Sequence, residues 1–515
     1  MSHFASDPAG SGVHPGLDAV SAPGRGSNAV GRGKIDELVF AYLVKLGVEP
    51  ACLSSDEVFL RRAYLDAIGT LPTAQDAVTF LASTDPKRRT VLIDQLLQRD
   101  EFPVYCAMKW SDLLRIKAEF PINIWPTAAQ EYYRWLRDSL EKNKPYDQFA
   151  RELLTSSGSN FRVGPMNFYR ALQNREPQSL AQAVALAFMG VRTEKWTPAR
   201  RAEMAVFFSQ VGYKPTGEWK EEIVFYDRNK PLATADAVFP DGKKIRLQAG
   251  HDPRVEFADW LISPRNPYFA RNIINRVWAW IYGRGIIDEP DDIRPDNPPL
   301  YPDLLGFLEA ELITSGYDLK HIYRLILNSS TYQLSSIPLS TKPEAARNFA
   351  SYPVRRLDAE VLIDALSQIT GTGEQYSSAV PEPYTIMPNG ERAIALPDGS
   401  ISSPFLELFG RSPRNTGMES ERNNRPTAAQ RLHLLNSSQI ERRIEQGPAL
   451  QEIFRKSDPR AVLTSLYLTI LSRYPTEDEV KVATAYAQSS GLDRRKAAID
   501  VAWALINSTE FLYRH

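Results

Sequence analysis

Arginine and asparagine side chains, interspersed with acidic residues, concentrate in two stretches of this 515-residue chain, residues 272–297 and 406–447. A guanidinium group presents a planar fork of donors that suits carboxylate, phosphate or sulfate. If the two stretches meet in the fold, they predict a polar cleft for an anionic or hydroxyl-rich ligand. The candidate ligand-binding residues are Asn275, Arg276, Arg284, Asp292, Arg294, Arg411, Arg422, Asn423, Asn424 and Arg425.

The same residues also fit a purely structural network. In that interpretation the first stretch fixes the loop 283–302, and Arg–Glu pairs with Glu419 and Glu421 connect two helical halves of the protein. A buried network of this kind can be specifically placed without binding any ligand. The residue types favour the network, and the ligand site is the alternative hypothesis.

Other kinds of chemistry find little support in the sequence. It contains no Gly-x-Ser-x-Gly motif, no phosphate-binding loop and no dinucleotide fingerprint. The six histidines are scattered, and no two of them have a metal-ligand spacing. Acidic residues in 288–297 could supply oxygen ligands to calcium, but the interleaved Pro and Arg favour ion pairs. We predict no metal and no cofactor, and the sequence leaves open whether the protein is an enzyme.

Composition narrows the class of protein. Hydrophobic content of 43% and charged content of 24% are typical of a soluble globular protein. A net charge of −1 supplies no basic field for nucleic acid, and no stretch is apolar enough for a membrane span. The two cysteines, Cys52 and Cys106, are expected to be free thiols rather than a disulfide.

Helical periodicity dominates the chain and predicts a mainly α, multi-helical fold of two associated helical domains with a small β-hairpin insert. Residues 1–33 form a disordered lead without the apolar region of a signal peptide. The first helical domain covers 34–215, the β-hairpin linker 216–250, and the second helical domain 251–515 with a long loop at 371–404. Within the first domain, helices are predicted near 86–99, 103–117, 127–142, 146–154 and 177–189.

Several boundaries of these elements follow from cap residues and turns. Thr73, Asp318, Asp458 and Thr476 are predicted to cap helices. Two β-like runs, residues 223–226 and 244–247, flank a turn at 241–242 and predict the hairpin.

One helix should position the first group of candidate residues. Asn266-Pro267 predicts its start and Gly283 its end. An inward apolar face is predicted from Ala270, Ile273, Ile274, Val277 and Ile281. Asn272, Asn275 and Arg276 fall on the opposite face, where we expect hydrogen bonds to a neighbouring loop or to a ligand.

Longer motifs carry a family resemblance. Residues 266–294, NPYFARNIINRVWAWIYGRGIIDEPDDIR, resemble the second of two paired families of domains of unknown function, numbers fifteen-forty-nine and fifteen-fifty-three, the planctomycete cytochrome-associated pair. The resemblance continues through YPVRRLDAEVLIDAL at 352–366 and ESERNNRPTAAQRLHLLNSSQIE at 419–441. LRRAYLDAIGTLPTAQDAVTFL at 60–81 resembles the first family. Together the similarity covers roughly residues 34–515, but neither family has a named reaction.

The resemblance implies an extracytoplasmic location and a protein partner from the same gene neighbourhood. Many relatives carry a Cys-x-x-Cys-His haem-attachment motif after the equivalent of AFMGVR. Residues 187–208 of this chain contain no Cys and no His, so no haem attachment carries over.

Three functional hypotheses follow. The leading one is a non-catalytic scaffold or binding protein that acts with a co-encoded partner. The second is a hydrolase or binding protein for anionic or hydroxyl-rich polysaccharide that uses the Arg/Asn cleft. The third is an accessory partner of a c-type cytochrome system without haem of its own.

Overall fold

Helices account for most of the computed structural model, which describes residue 31 and residues 33–232 and 234–515. Nearly all of the predicted disordered lead, residues 1–33, lies outside the described residues. The described part holds 25 α-helices and three small antiparallel sheets. The prediction of a mainly α, multi-helical fold is confirmed.

Ten helices lie between residues 34 and 205, and polar caps begin several of them. The Thr73 side chain accepts from the Asp76 N–H and Asp76 accepts in return, which confirms the predicted cap. A π-helical turn, Ala185–Met189, extends the ninth helix. The helices are α1 Lys34–Leu46, α2 Asp56–Ala67, α3 Ala74–Ala82, α4 Arg88–Leu96, α5 Glu101–Leu113, α6 Pro126–Glu141, α7 Tyr146–Thr155, α8 Asn167–Arg170, α9 Pro177–Val184 and α10 Pro198–Ala205.

Short strands form three antiparallel sheets. β1 (Gly158–Ser159) and β2 (Val211–Pro215) flank β3 (Glu222–Tyr226). β4 (Asp236–Val238) and β5 (Lys244–Arg246) form a hairpin. β6 (Arg355–Arg356) pairs with β7 (Tyr513–Arg514), so the end of the chain returns to its middle.

The hairpin differs from its prediction in one respect. Both predicted β-like runs form strands, but they do not pair with each other. β3 pairs with β2, and β4 takes its place in the hairpin beside β5. The segment that becomes β2 lies before the predicted insert. Its pairing with β3 depends on tertiary contacts, which the turn at 241–242 does not specify.

Fifteen further helices follow residue 252. Asp318, Asp458 and Thr476 cap their helices as predicted. The predicted long loop, residues 371–404, contains a short 3₁₀ turn at Ala393–Ala395. The helices are α11 Pro253–Leu261, α12 Phe269–Tyr282, α13 Pro302–Thr314, α14 Leu319–Asn328, α15 Ser330–Gln333, α16 Pro343–Arg347, α17 Ala359–Thr370, α18 Pro404–Leu408, α19 Ala428–Asn436, α20 Ser438–Gln446, α21 Pro448–Phe454, α22 Pro459–Ile470, α23 Glu477–Ser489, α24 Arg494–Ile506 and α25 Thr509–Leu512.

Helix α12 lies in the interior and is buried on both faces. It begins at Phe269, two residues after the predicted start, because the Asn266 side chain accepts from the N–H groups of Tyr268 and Phe269 and caps the turn before the helix. Its predicted apolar face is buried, as are Asn272, Asn275 and Arg276 on the other face. Polar side chains buried in this way must find partners inside the protein.

Two hydrophobic clusters make up the core. The larger extends from α1 to residue 352 and also includes Leu468. The smaller collects buried side chains from residues 357–511 together with Leu65, Leu71, Tyr105 and Met108. Helices α2 and α5 therefore contribute to both clusters, and charged side chains on α5 lie where the two clusters approach each other. The domain boundaries at 215 and 251 stay a prediction. Cys52 and Cys106 are free.

Candidate functional site

Helix α12 supplies the first group of candidate residues, and each finds an internal partner. The Asn275 amide donates to the Ile287 carbonyl at 2.9 Å and accepts from the Ile287 N–H at 2.8 Å. Arg276 forms an ion pair with Asp291 at 2.6 Å, and each side chain is only 1% exposed. Arg276 also donates to the Leu186 carbonyl at 2.9 Å. These contacts connect α12 to the following loop and to the end of α9.

Close approach of the backbone at Gly190 makes this packing possible. Its carbonyl accepts from the Ile293 N–H at 2.9 Å, and its φ is +65°. A Cβ at this position would lie 2.6 Å from Asn272 Oδ1. Glycine is therefore required both by its conformation and by its contact with α12.

The remaining candidates of the first stretch lie near the surface. Arg294 contacts Asp292 at 3.1 Å, and Arg284 contacts Asp288 at 3.3 Å. Asp292 also accepts from Lys195 at 2.9 Å. Burial alone would raise the pKa of Asp292, but Lys195 and Arg294 lower it below its usual value. The predicted ion pairs of this acidic loop are present, and the described residues contain no group of three or more acidic, His or Cys side chains that could bind a metal ion.

The second stretch contributes buried arginines that also have internal partners. Arg422 forms ion pairs with Asp112 at 2.7 Å and with Glu360 at 2.6 Å. Arg411 lies 3.5 Å from Glu360 and donates to the Ile401 carbonyl. The arginines of both stretches thus use carboxylates contributed by other elements.

The asparagines and the last arginine of this stretch differ from one another in exposure. The Asn424 amide donates to Asp358 at 2.7 Å. Asn423 and Arg425 are exposed, and the Asn423 side chain accepts from the Arg425 N–H at 3.1 Å. These two residues are the candidates that solvent reaches most freely in the second stretch.

Arg276 and Arg422, from the two stretches, line the same small cavity. Lys109, Asp112 and Glu419 complete its polar lining, and its volume is about 10 Å³. A space of this size accommodates roughly one water molecule. The two stretches therefore meet, as the ligand hypothesis requires, but around a very small space rather than an open cleft.

Glu419 connects the two stretches through its backbone. Its N–H donates to Asp291 at 2.7 Å, and its carboxyl accepts from the Trp280 indole at 3.3 Å. Burial raises the pKa of Glu419, and nearby Lys109 only partly offsets that effect. Glu421 accepts from backbone N–H groups of residues 415–417. The predicted Arg pairs with Glu419 and Glu421 are therefore wrong, since Asp112, Asp291 and Glu360 take those positions.

Further charged residues surround this cavity. Asp358, just before α17, forms ion pairs with Lys109 at 3.0 Å and with Arg514 at 3.1 Å. Burial alone would raise the pKa of Asp358, but Lys109, Arg514 and Arg422 lower it well below its usual value. We refer to the following residues as the buried charge network: Lys109, Asp112, Arg276, Asp291, Asp358, Glu360, Glu419, Arg422 and Arg514.

Sequence reasoning missed five members of this network. Lys109 and Asp112 interrupt the apolar run 102–114, and that interruption is a signal which could have revealed them. Asp358 and Glu360 lie inside the motif at 352–366, which carries the family resemblance. Arg514 has no comparable local signal, because its position depends on the pairing of β6 with β7.

Two larger cavities lie outside the network, and one of them shares the lining residue Met418 with the small network cavity. One, of about 550 Å³, is a groove between α22, α23 and α24. The other, of about 260 Å³, lies between residues 115–122, α9 with its extension, and residues 415–418. No helix in the described part of the chain is long and apolar enough to cross a membrane.

Comparison with known families assigns most of the chain to two domains. Residues 34–201 match a family described as a protein of unknown function (DUF1549), and residues 253–487 match a family described as a protein of unknown function (DUF1553). The chain belongs to the planctomycete-type proteins in which these two domains of unknown function are paired, which confirms the resemblance. No curated protein and no solved structure matches the chain.

Proposed function

We propose that this protein is a non-catalytic scaffold that binds a partner protein encoded in the same gene neighbourhood. The observation that carries the proposal is the groove between α22, α23 and α24, called here the C-terminal groove. This groove is an apolar concavity of about 550 Å³. We propose that its occupant is an amphipathic helix of the partner, since grooves between helices commonly bind such segments.

The lining of the groove supports an apolar ligand surface. Val462, Leu463 and Leu466 form its floor from α22, and Val480 and Val501 form its sides. Helix α23 has no buried residue along its 13 positions, and its Ala483 and Ala487 also line the groove. The lining residues span positions 480–488 on α23 and 494–501 on α24, which is a length of about 11–12 Å and matches about two turns of a bound helix.

Charged groups of both signs lie at one end of the groove. The N-termini of α22 and α24 both lie at this end, where Arg460 and Arg494 also line the groove. Helix N-termini carry partial positive charge, and Arg494 donates to the backbone carbonyl of Lys456. Asp458 also lines this end and caps α22, and Arg460 is paired with Glu477, so the charges at this end largely compensate one another.

The buried charge network supports the scaffold role. Arg276 donates to Asp291, and Arg422 donates to Asp112 and Glu360. These contacts stabilise the packing of elements that are distant in sequence. The polysaccharide hypothesis requires the same arginines to face a ligand, and it stays a prediction, as does the cytochrome-accessory hypothesis. A scaffold needs a rigid body and an exposed binding surface, and this chain combines the two.

Co-expression with the product of the neighbouring gene tests the proposal. Ala487 is exposed and lines the groove, so Ala487→Glu introduces a carboxylate into the apolar surface. We expect wild-type protein to elute with its neighbour as a stable complex in size-exclusion chromatography with light scattering. We expect Ala487→Glu to reduce the affinity by roughly tenfold or more, because burying an unpaired charge is costly.

Ala485→Glu is the matched control, since Ala485 is exposed on the same helix but does not line the groove. This control should retain the complex. The proposal fails if no complex forms with the neighbour, or if the complex survives Ala487→Glu. A wild-type homodimer that Ala487→Glu disrupts would instead identify a second copy of the chain as the occupant and would also contradict the proposal.

A further inference from the structure

The cavity of about 260 Å³ combines an apolar wall with polar side chains. Leu172, Leu186 and Val191 contribute the apolar wall, while Ser179 and Gln182 from α9 contribute polar groups. Residues 415–418 close it from the side of the second stretch. None of its lining residues lines the C-terminal groove. It is a separate cavity, large enough for a small organic molecule.

Arg115 gives this cavity a charged group. Its side chain is 2% exposed, and its Nε donates to the Ala171 carbonyl at 2.9 Å. Its Nη1 donates to the Thr416 carbonyl at 3.4 Å. Its Nη2 is buried and has no hydrogen-bond partner among the described residues. A buried guanidinium donor without an acceptor is costly, and an acceptor supplied by a ligand would remove that cost.

The charge around Arg115 differs from that around Arg422. Arg422 has two carboxylate partners, whereas the hydrogen bonds of Arg115 both go to backbone carbonyls. The Phe168 ring and the Glu421 carboxylate also act on Arg115, but neither accepts a hydrogen bond from it. Burial lowers the pKa of Arg115 to about 10, so the group stays cationic at neutral pH. Its positive charge is therefore available to an anion in the cavity.

The other charged residues of the lining limit the charge of that anion. Arg192 is paired with Glu289, so it adds no free positive charge. Glu194 also lines the cavity, where its carboxylate accepts from Gln182. One available donor on Arg115 beside the Glu194 carboxylate favours a ligand with a single negative charge over a dianion such as hydrogen phosphate.

We propose that this cavity binds a small organic monocarboxylate, with the carboxylate on Arg115 and the apolar body against Leu172, Leu186 and Val191. The carboxylate accepts from Nη2 of Arg115. Charge-assisted bonds of this kind are about twice as strong as neutral ones, so the acid binds in preference to its amide.

Calorimetric titration of the full chain tests this proposal with benzoate, phenylacetate and hexanoate, each compared with its primary amide and with inorganic phosphate. We expect at least one acid to bind, and to bind roughly tenfold or more tightly than its amide. Arg115→Gln should abolish that preference. Ser179→Trp fills the cavity from α9 while it leaves Arg115 in place, and it should weaken binding of the acid by a similar factor.

Gln178→Trp is the matched control, because Gln178 is the exposed neighbour of Ser179 and does not line the cavity. It should bind the acid like the wild type. Three results would overturn the proposal: no acid binds better than its amide, phosphate binds more tightly than every acid, or acid binding persists in both Arg115→Gln and Ser179→Trp.

Discussion

The buried charge network and the C-terminal groove each have an arginine–carboxylate ion pair with a similar N–O distance. One pair is buried and the other is exposed to solvent. Arg276 and Asp291 are 2.6 Å apart and each 1% exposed. Arg460 and Glu477 are 2.8 Å apart, but they are 66% and 73% exposed. The surfaces around the pairs differ as well, since α12 is buried on both faces and α23 has no buried residue.

This contrast teaches that burial decides what an arginine contributes. A buried pair whose partner is removed leaves an uncompensated charge at low dielectric, whereas an exposed pair loses little because water solvates both groups. The network can therefore stabilise the packing of distant elements. The groove has few buried contacts of its own to lose, and its surface is available for binding.

The largest expected effect comes from breaking the buried pair. Arg276→Met leaves Asp291 buried without its cation, so we expect the free energy of unfolding to fall by about 3–5 kcal/mol. Urea denaturation followed by circular dichroism measures the change. The additional substitution Asp291→Asn removes the orphaned charge and keeps an acceptor for the Glu419 N–H.

The double variant Arg276→Met/Asp291→Asn should therefore recover a substantial part of the loss. If Arg276→Met costs less than about 1 kcal/mol, the pair does not stabilise the fold as the burial indicates. If Asp291→Asn adds its own loss without any recovery, the two side chains are not coupled through their charges.

An intermediate effect is expected from two carboxylates one turn apart on α17. Burial alone would raise the pKa of Glu360, but Arg422 lowers it below its usual value. Burial raises the pKa of Asp364 to about 6, because Arg392 at 3.5 Å compensates it only weakly. The stability that Glu360 contributes is present above its unfolded pKa and is lost as pH falls. The stability associated with Asp364 is present below its unfolded pKa and is lost as pH rises towards about 6.

Unfolding free energies of Glu360→Gln and Asp364→Asn between pH 3 and pH 7 test these opposite signs. The loss caused by Glu360→Gln should be largest at pH 7 and should shrink towards pH 3. The loss caused by Asp364→Asn should be larger at pH 3 than at pH 7, by roughly 3 kcal/mol, because the pKa of Asp364 is raised to about 6. Losses that change in the same direction with pH would contradict the proposed difference between the two sites.

The smallest effect is expected at the exposed pair beside the groove. Arg460→Met should change the free energy of unfolding by no more than about 1 kcal/mol, since exposed ion pairs contribute little. The same denaturation experiment measures it, with Arg276→Met as the comparison. A loss as large as that of Arg276→Met would remove the distinction between the two regions.

Local chemistry predicted much of the fold. Thr73, Asp318, Asp458 and Thr476 cap helices as expected, because a cap depends on hydrogen bonds within a few residues. Predicted segments 127–142 and 146–154 correspond to α6 and α7 within one residue at each end. The partner of β3 could not be predicted, because strand pairing depends on which segments meet in space.

The candidate site was predictable only in part. Arg276 and Arg422 were recognised from residue type, and the structure brings them to one cavity. The carboxylate partners of Arg422, which are Asp112 and Glu360, lie 310 and 62 positions from it. Periodicity reports the face of one helix and carries no information about contacts over such separations. Whether the exposed candidates Asn423 and Arg425 bind a ligand stays a prediction.

By itself, the sequence determined the helical class, many helix ends and the residues rich in hydrogen-bond donors, because each of these follows from short-range spacing and side-chain chemistry. Only the tertiary structure decided whether those donors would have an acceptor inside the protein. In the structure, Arg276 and Arg422 pair with buried carboxylates. Arg115 donates to two carbonyls and keeps one donor without an acceptor. Helix α23 is left exposed. The physical reason is that the energy of a charge depends on its surroundings, and those surroundings are assembled from distant parts of the chain.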